Sequence, residues 1–419
     1  MNTFTRHPFN PWDTLGERLL ASTAVKVELP PSQYAKMVER KAAIEKHLQR
    51  DGSPLKDLIR IFYQQGSVAI GATIRAKFRS EGFDIDIIVE LLVEGLTPAR
   101  ALDLLYHAVR GEPGSRYHDC IERQTRCITI SYADGMHIDL SPAELLDPYD
   151  PRKSHIFHSK PDEPRWKDTT ILTNSFAFAE YYNDRCPVDQ AFAEEFGKRV
   201  RASDAQLAVM MKDADSLPVP DHSSVVGGKS AVTVALQLIK RNRNIRWLPR
   251  NRRMPASVML SCLSLEVAAS GRTIGENLRV IASHILDRLT AAKRAGKLIH
   301  VENPRCQGDC FTDRWPENFG DQDVMISDMK LFLNQLDVLF DEQRSFKERT
   351  QVLEAMFGET VGRQVRDEFA DEQGFLIRSG KHSVGAAGGV LASPSLVSER
   401  PAAKPNTFYG RSWPGSRNR

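Results

Sequence analysis

A chain of 419 residues with 41% hydrophobic and 26% charged content has the composition of an ordinary soluble globular protein, and is long enough for two domains or one two-lobed domain, since single cores rarely grow past ~250–300 residues. No run approaches the ~20 apolar residues of a membrane span, and the opening MNTFTRHPFNPWDTLGERLL lacks a basic stretch followed by an apolar segment of signal length, so a cytoplasmic protein with no membrane partner is expected. The net charge of +3 divides unevenly, because residues 376–419 hold seven Lys or Arg and one acid, leaving a slightly acidic body with a basic tail.

In chain order, PPSQYAKMVERKAAIEKHLQRDG predicts a long helix: proline marks its start, Met37, Val38, Ile44 and Leu48 form its apolar positions, and Asp-Gly closes it. DLIRIFYQ reads as a strand running into Gly66 and Ser67. In DIDIIVELL, Ile85, Ile87, Val89 and Leu91 face one way and Asp84 and Asp86 the other, because strand side chains have period two. TPARALDLLYHAV then opens a helix, with Thr97 as N-cap and Pro98 at the first helical position. RCITISYADGMHIDLSP gives two β-rich runs around Asp134-Gly135, a strong hairpin signal. Met136, Ile138 and Leu140 share one face of the second run, and Asp139 lies opposite with His137.

Beyond about residue 190 the pattern is helical. Val232, Ala235, Leu236 and Ile239 keep helical spacing, PASVMLSCLSLEVAAS reads as a buried helix, and Thr273 with Glu276 forms a capping box for the next one. Helical stretches at roughly 324–344 and 346–372 close the body. The expected division is an N-terminal extension (1–30), a sheet-containing domain (31–200), a helical lobe (201–375) and a disordered basic tail (376–419) rich in Ser, Gly, Ala and Pro.

Three aspartates on neighbouring strands suit hard divalent cations, two of which, ~3.5–4 Å apart, stabilise the attacking and leaving oxygens of phosphoryl transfer. The Gly-Ser step adds close backbone approach, amide donors and a hydroxyl for a triphosphate. Alone, Asp-x-Asp or Gly-Ser reads as solvent-facing residues on a half-exposed sheet. What is specific is the order: Gly-Ser, then Asp-x-Asp about seventeen residues later, then a single Asp after an intervening helix.

That order resembles the nucleotidyltransferase superfamily with the polymerase-β-like palm. More narrowly, QGSVAIGATI, DIDIIVEL, HIDLSPA, ALQLIKRNR, PASVMLSCL, ENP with FTDRW, and MFGETV resemble the bacterial cGAS/DncV-like nucleotidyltransferases (CD-NTases), over roughly residues 35–365. The resemblance implies an α+β, two-lobed fold: a mixed β-sheet palm, a helical C-terminal lobe and an active site in the cleft between them. It implies that Asp84, Asp86 and Asp139 hold two Mg²⁺ or Mn²⁺ ions and that Asp139 helps deprotonate the attacking ribose hydroxyl. It also implies that Gln65, Gly66 and Ser67 grip the donor triphosphate while Lys240 and Ser257 touch phosphates from the helical lobe. The expected enzyme makes a cyclic di- or trinucleotide second messenger from nucleoside triphosphates, releasing pyrophosphate, for a downstream effector in antiphage signalling. The alternatives are a template-independent RNA nucleotidyltransferase and a catalytically silent, nucleotide-sensing scaffold.

Other signals weigh less. VVGGKSAV ends like a P-loop but has Ser223 where the first glycine belongs, with no buried parallel strand before it. The basic run KRNRNIRWLPRNRR (240–253) suits either a nucleic-acid contact or, preferably, a solvated helix end with only Lys240 reaching nucleotide. His300, Cys306 and Cys310 lack a fourth zinc ligand nearby, and His155 and His158 are read in a polar loop. The six cysteines are expected to be reduced thiols. Phe408, Tyr409 and Trp413 suggest a recognition peptide for a regulatory or conjugating partner, although the terminal Arg419 departs from the small residue usual where relatives are conjugated.

Overall fold

The computed structural model describes residues 12–75, 83–92, 94–147, 149, 152–211, 228–378, 382–384 and 390–392. Two helices, α1 (Leu15–Val27) and α2 (Pro31–Leu48), precede β1 (Ile59–Gln64) and the short α3 (Gly66–Ala69). Next come β2 (Phe83–Leu91), α4 (Pro98–Arg110), β3 (Ile121–Arg123), β4 (Ile128–Ser131), β5 (Met136–Leu145), β6 (Ser154–His158) and β7 (Thr169–Thr173). The helices that follow are α5 (Ser175–Arg185), α6 (Gln190–Met211), α7 (Ala231–Trp247), α8 (Ser257–Glu266), α9 (Ile274–Arg294), α10 (Phe319–Phe340), α11 (Phe346–Phe357) and α12 (Glu359–Arg378).

The seven strands form one mixed sheet in the order β1-β2-β5-β4-β3, with β6 and β7 continuing from the far half of β5. β2 and β5 run parallel, and their register sets Asp86 directly beside Asp139. The remaining pairs are antiparallel, including the predicted hairpin, whose Gly135 has φ +86. One sheet face buries Ile85, Ile87, Val89, Ile138 and Leu140 against Met37, Ile44 and Leu48 of α2 and Leu105 and Val109 of α4. Each such side chain contributes about 1.5–3 kcal/mol when fully buried. Val38 is the exception to the predicted stripe, because it is 46% exposed on the outer side of α2.

On the opposite face, Tyr63, Ile88, Ala143 and Phe176 form a small second core. Glu90 shares the face of Asp86 by the period of two but is fully buried, with Arg152 donating to both its oxygens at 3.0 and 3.1 Å. That face is therefore closed at the Glu90 end and open at the Asp86 end. α7 is buried from Ala231 through Arg243 and runs through the helical lobe as its axis.

Packing divides the chain differently from the expected boundaries. α1 is no extension, since Leu19, Leu20, Ala24 and Val27 sit in the helical core, and Phe178, Phe192 and Phe196 of α5 and α6 join them from within the expected 31–200 domain. The predicted helix at 346–372 is two, broken at Gly358 (φ +101). The capping box of Thr273 and Glu276 forms as expected. Of the expected tail, helix continues to Arg378, and His382–Val384 pairs with Val390–Ala392. Phe408, Tyr409, Trp413 and Arg419 lie outside the described residues. No disulfide joins any of the six cysteines.

Candidate active site

β1 delivers the chain to the carboxylates. Gln65 is still extended and donates its N–H to the Asp86 carbonyl at 2.9 Å. Gly66 then turns with φ +62, where a Cβ would lie 2.6 Å from Asp86 Oδ2. Only glycine satisfies both conditions, for a left-handed backbone and for carboxylate contact. α3 starts at this turn, and Ser67 accepts the Ala72 N–H at 2.8 Å through its carbonyl.

Asp86 and Asp139 both line a cavity of about 560 Å³ between the sheet and the helices. Thr129 Oγ1 donates to Asp139 Oδ1 at 2.5 Å from the register-paired position on β4. Burial pushes the Asp139 carboxyl up from the ordinary range, while hydrogen bonds from Thr129 and Cys127 pull it back. Asp84 pairs with His137 in the same ladder, and its side chain lies outside the described residues.

The helical lobe supplies the opposite wall. Lys240, 3% exposed on α7, donates to Ser67 Oγ and to the Ala72 carbonyl, each at 2.6 Å. Removal from water chiefly, and then the Arg243 charge, depress its ammonium to about 7. Arg243, one helical turn on, is buried too, and desolvation lowers it to about 10. It donates to the Pro255 carbonyl at 2.7 Å and to Ser257 Oγ at 2.9 Å, and among the described residues it meets no carboxylate. Ser257 opens α8, so the positive end of that ten-residue helix faces the cavity. All of the sequence-predicted residues except Asp84, whose side chain is not described, thus line a single cavity.

The 303–316 loop closes a further side. Asn303 Nδ2 donates to the Asn174 carbonyl at 3.0 Å and to Asp309 Oδ2 at 2.9 Å, and Asp309 also accepts the Asn174 N–H at 2.9 Å. This fixes the helical-lobe loop to the N-cap of α5, which explains the ENP run as an anchor. Beyond the anchor, Arg126 of the β3–β4 turn and Asp313 pair at 2.7 Å. Arg243, Arg126, Asp313 and Arg314 line the cavity and were not among the predicted site residues; Arg243 stands three positions from Lys240 on one helical face, and Asp313 and Arg314 lie within FTDRW, whereas Arg126 had no such signal.

The basic run is engaged within the chain along most of its length, and only its last arginines stand partly in solvent. Arg241 and Asn242 donate to carbonyls of Phe357 and Met356, while Arg250, Arg252 and Arg253 pair with Asp328, Asp321 and Glu317. Lys240 is not alone in reaching the cavity, because Arg243 lines it as well. Lys229 pairs with Glu28, and Ser230 caps α7, so the GKS run serves packing. His155 and His158 lie on β6, not in a loop, three residues apart and hence on opposite faces. Cys310 Sγ is 3.6 Å from His300 Nδ1, while Cys306 is buried. A wider groove of about 630 Å³ beside the start of α4, lined by Arg100, His107 and Arg165, lies apart from the carboxylates.

Residues 19–174 match the Second Messenger Oligonucleotide or Dinucleotide Synthetase domain. The chain is 33% identical over 392 residues to the cyclic dinucleotide synthase CdnG of Bradyrhizobium diazoefficiens, covering 93% of this chain and 92% of that protein. The solved structure of that CdnG in complex with GTP superposes with a TM-score of 0.73 over 86% of this chain and all of the other. A c-di-GMP synthase of Roseivirga ehrenbergii is 22% identical over 410 residues, covering 94% of this chain and 97% of that one. In fold, CdnC in its complex with HORMA-deltaN from E. coli MS115-1 is similar at a TM-score of 0.56 and 15% identity, over 82% of this chain and 97% of that one. Matched over 93% of its length by a relative 33% identical to it, the chain belongs to the bacterial cGAS/DncV-like nucleotidyltransferases, the CD-NTases.

Proposed function

We propose that this chain joins nucleoside triphosphates, GTP among them, into a cyclic dinucleotide and releases pyrophosphate at each of two steps. The observation that carries the reading is one cavity with adjacent carboxylates, Asp86 and Asp139, on its sheet wall and Gly66, Ser67, Lys240 and Ser257 around them. The name of the 33% identical relative supports a cyclic dinucleotide, and its GTP complex supports guanine in at least one position. The product would act as a second messenger on an effector in antiphage defence, as the family resemblance implies.

The donor set fits two hard cations: aspartates adjacent in register, no soft ligand required, and a glycine whose missing Cβ leaves Asp86 Oδ2 open to the turn. Bound Mg²⁺ or Mn²⁺ would neutralise the triphosphate and stabilise the oxygens entering and leaving the α-phosphorus. Asp84, Asp86 and Asp139 would hold the ions. Gly66 and Ser67 with the adjacent Gln65 would grip the donor phosphates, and Lys240 and Ser257 would meet them from the helical lobe. A ribose hydroxyl of the acceptor then bonds to the α-phosphorus, the bond to the β-phosphate oxygen breaks, and the hydroxyl proton passes to Asp139. Positioning and charge neutralisation supply most of such catalysis. A second pass in the same cavity closes the ring.

An RNA-acting transferase is less well supported, since its expected contact, the 240–253 run, is engaged within the chain by carbonyls and α10 carboxylates. The test is incubation of the purified protein with GTP alone and with all four nucleoside triphosphates, each with Mg²⁺ or Mn²⁺, followed by phosphatase and mass spectrometry. A phosphatase-resistant product of cyclic mass is expected. Purely linear or RNA-dependent product would overturn the reading.

A further inference from the structure

In-line displacement fixes a direction that the cavity must respect. The entering oxygen approaches the α-phosphorus from the side opposite the departing pyrophosphate. Sheet order supplies that direction: the Gly66–Ser67 turn leaves β1, Asp86 follows on β2, Asp139 on β5, and then come Thr129 and Arg126 at β4. With strands ~4.8 Å apart, the β1 and β4 sides are separated by three spacings, about 14 Å. A donor gripped at Gly66, Ser67 and Lys240 sends its pyrophosphate toward β1. The attacking nucleotide must therefore enter from the β4 side, bringing a triphosphate of its own.

That side is cationic. Arg126 lines the cavity and spends one guanidinium nitrogen on Asp313, while its Nε meets the His158 ring at 3.3 Å. Arg314 also lines the cavity, and among the described residues it makes no hydrogen bond or ion pair. Arg253 stands near it but is engaged by Glu317 at 2.9 Å. Partial burial first, and then the charges of Arg126 and Arg253, lower the Arg314 guanidinium. One guanidinium that spends a single nitrogen on a carboxylate, beside a second that pairs with none, leaves donors for bidentate phosphate recognition.

We propose that Arg126 and Arg314 form a second anion subsite, which takes the 5′-triphosphate of the acceptor nucleotide, with Arg126 exchanging Asp313 for phosphate when that nucleotide arrives. The inference rests on the synthase reading above, and it adds a binding role to two residues outside the donor grip. Asp313 then acts as a stand-in anion that holds Arg126 at the mouth until the acceptor displaces it.

The test has a binding arm and a kinetic arm. In the first, the protein is titrated calorimetrically with the GTP analogue carrying a methylene between its α- and β-phosphorus, in the presence of Mg²⁺. Two nucleotides per chain are expected for the native protein. In Arg126→Gln/Arg314→Gln the second should weaken by about tenfold or more, one tenfold step being a single charge-assisted contact, with the thermal midpoint within a few degrees. Asp313→Asn, which releases Arg126, should tighten the second site. Unchanged affinity at both sites in the double variant would overturn the subsite.

In the kinetic arm, 2′,3′-dideoxy-GTP serves as a donor that cannot attack, and GTP, GMP and guanosine serve as acceptors. The native KM should rise about tenfold or more from GTP to guanosine, and the double variant's KM for GTP should approach the guanosine value. Linear product formed equally well from GTP and guanosine would overturn the subsite and leave the synthase reading standing. No product from the native protein with any acceptor would overturn that reading and the subsite with it.

Discussion

Lys240 reaches across the cleft from α7 to donate to Ser67 Oγ at 2.6 Å, so without nucleotide a buried ammonium occupies the place where the proposed donor phosphates would lie. It is held by a hydroxyl and a carbonyl, and removal from water lowers its pKa to about 7, so it gives up its proton far more readily than an ordinary lysine. An arriving triphosphate restores the charge. Proton uptake on nucleotide binding at pH 8 is expected, measured as a buffer-dependent calorimetric enthalpy. Nucleotide affinity should fall up to tenfold per pH unit above about 7, because binding is linked to one proton. A flat affinity between pH 7 and 9 would show that Lys240 stays charged throughout.

The same depressed pKa has a consequence for stability. Between about 7 and the ordinary lysine value near 10.4, the unfolded chain binds the proton that the folded chain has lost, so this residue's contribution to stability rises with pH over that window. Lys240→Met keeps the volume and removes the buried charge. At pH 6.5 its thermal midpoint should equal or exceed that of the native protein, while kcat/KM falls about 100-fold through the lost charge-assisted contact. A variant that is both inactive and unfolded would reassign Lys240 to structure.

Gly66 is constrained twice, by φ +62 and by the 2.6 Å approach of Asp86 Oδ2 to a Cβ built there. Gly66→Ala should destabilise the fold by about 1–3 kcal/mol and displace the Asp86 carboxylate. Urea unfolding reads the first effect, and loss of nucleotide binding together with turnover reads the second. Retained turnover with normal KM would mean that the turn does not grip phosphate.

The basic run can be tested through its partners. Asp328 is 4% exposed beneath Arg250, whereas the Arg253–Glu317 pair is largely solvated. Arg250→Ala strands a buried carboxylate and should cost roughly 3 kcal/mol, whereas Arg253→Ala should cost about 0–1 kcal/mol. Denaturant titration checks the order. Strong loss of nucleic-acid binding in Arg250→Gln/Arg252→Gln/Arg253→Gln, with stability intact, would restore the RNA-contact reading.

How much of this was legible in the sequence depends on the range of the determining contact. Period two placed Asp86 and Asp139 opposite their buried neighbours, and Asp134-Gly135 announced its hairpin, because both are local rules. The fate of Glu90 was invisible, since Arg152, which neutralises it, lies 62 residues away. SHIFH and TTILT are too short and polar to announce β6 and β7, which exist by pairing with each other and with β5. The α1 region reads as a terminal extension until Leu19 and Leu20 are seen among helices from the other end of the chain. Arg126 and Asp313, 187 residues apart, become one feature only through the fold, and Arg250 looks solvated until α10 brings Asp328 beneath it.

The carboxylates themselves provide the last test. Asp86 and Asp139 are adjacent in register, and burial already favours the neutral form of Asp139. Such a cluster is kept for chemistry at a cost to folding, because like charges brought together repel. Asp86→Asn/Asp139→Asn should therefore abolish product, by at least about 100-fold, while its thermal midpoint stays within a few degrees or rises. Native protein stripped with EDTA should lose turnover as the variant does, and regain it with Mg²⁺ or Mn²⁺. Added Mg²⁺ should raise the native midpoint through binding to the folded state alone, and leave the variant's midpoint unmoved. A variant that unfolds would instead make Asp86 and Asp139 structural. Turnover that survives the double substitution would place the reacting centre elsewhere in the chain.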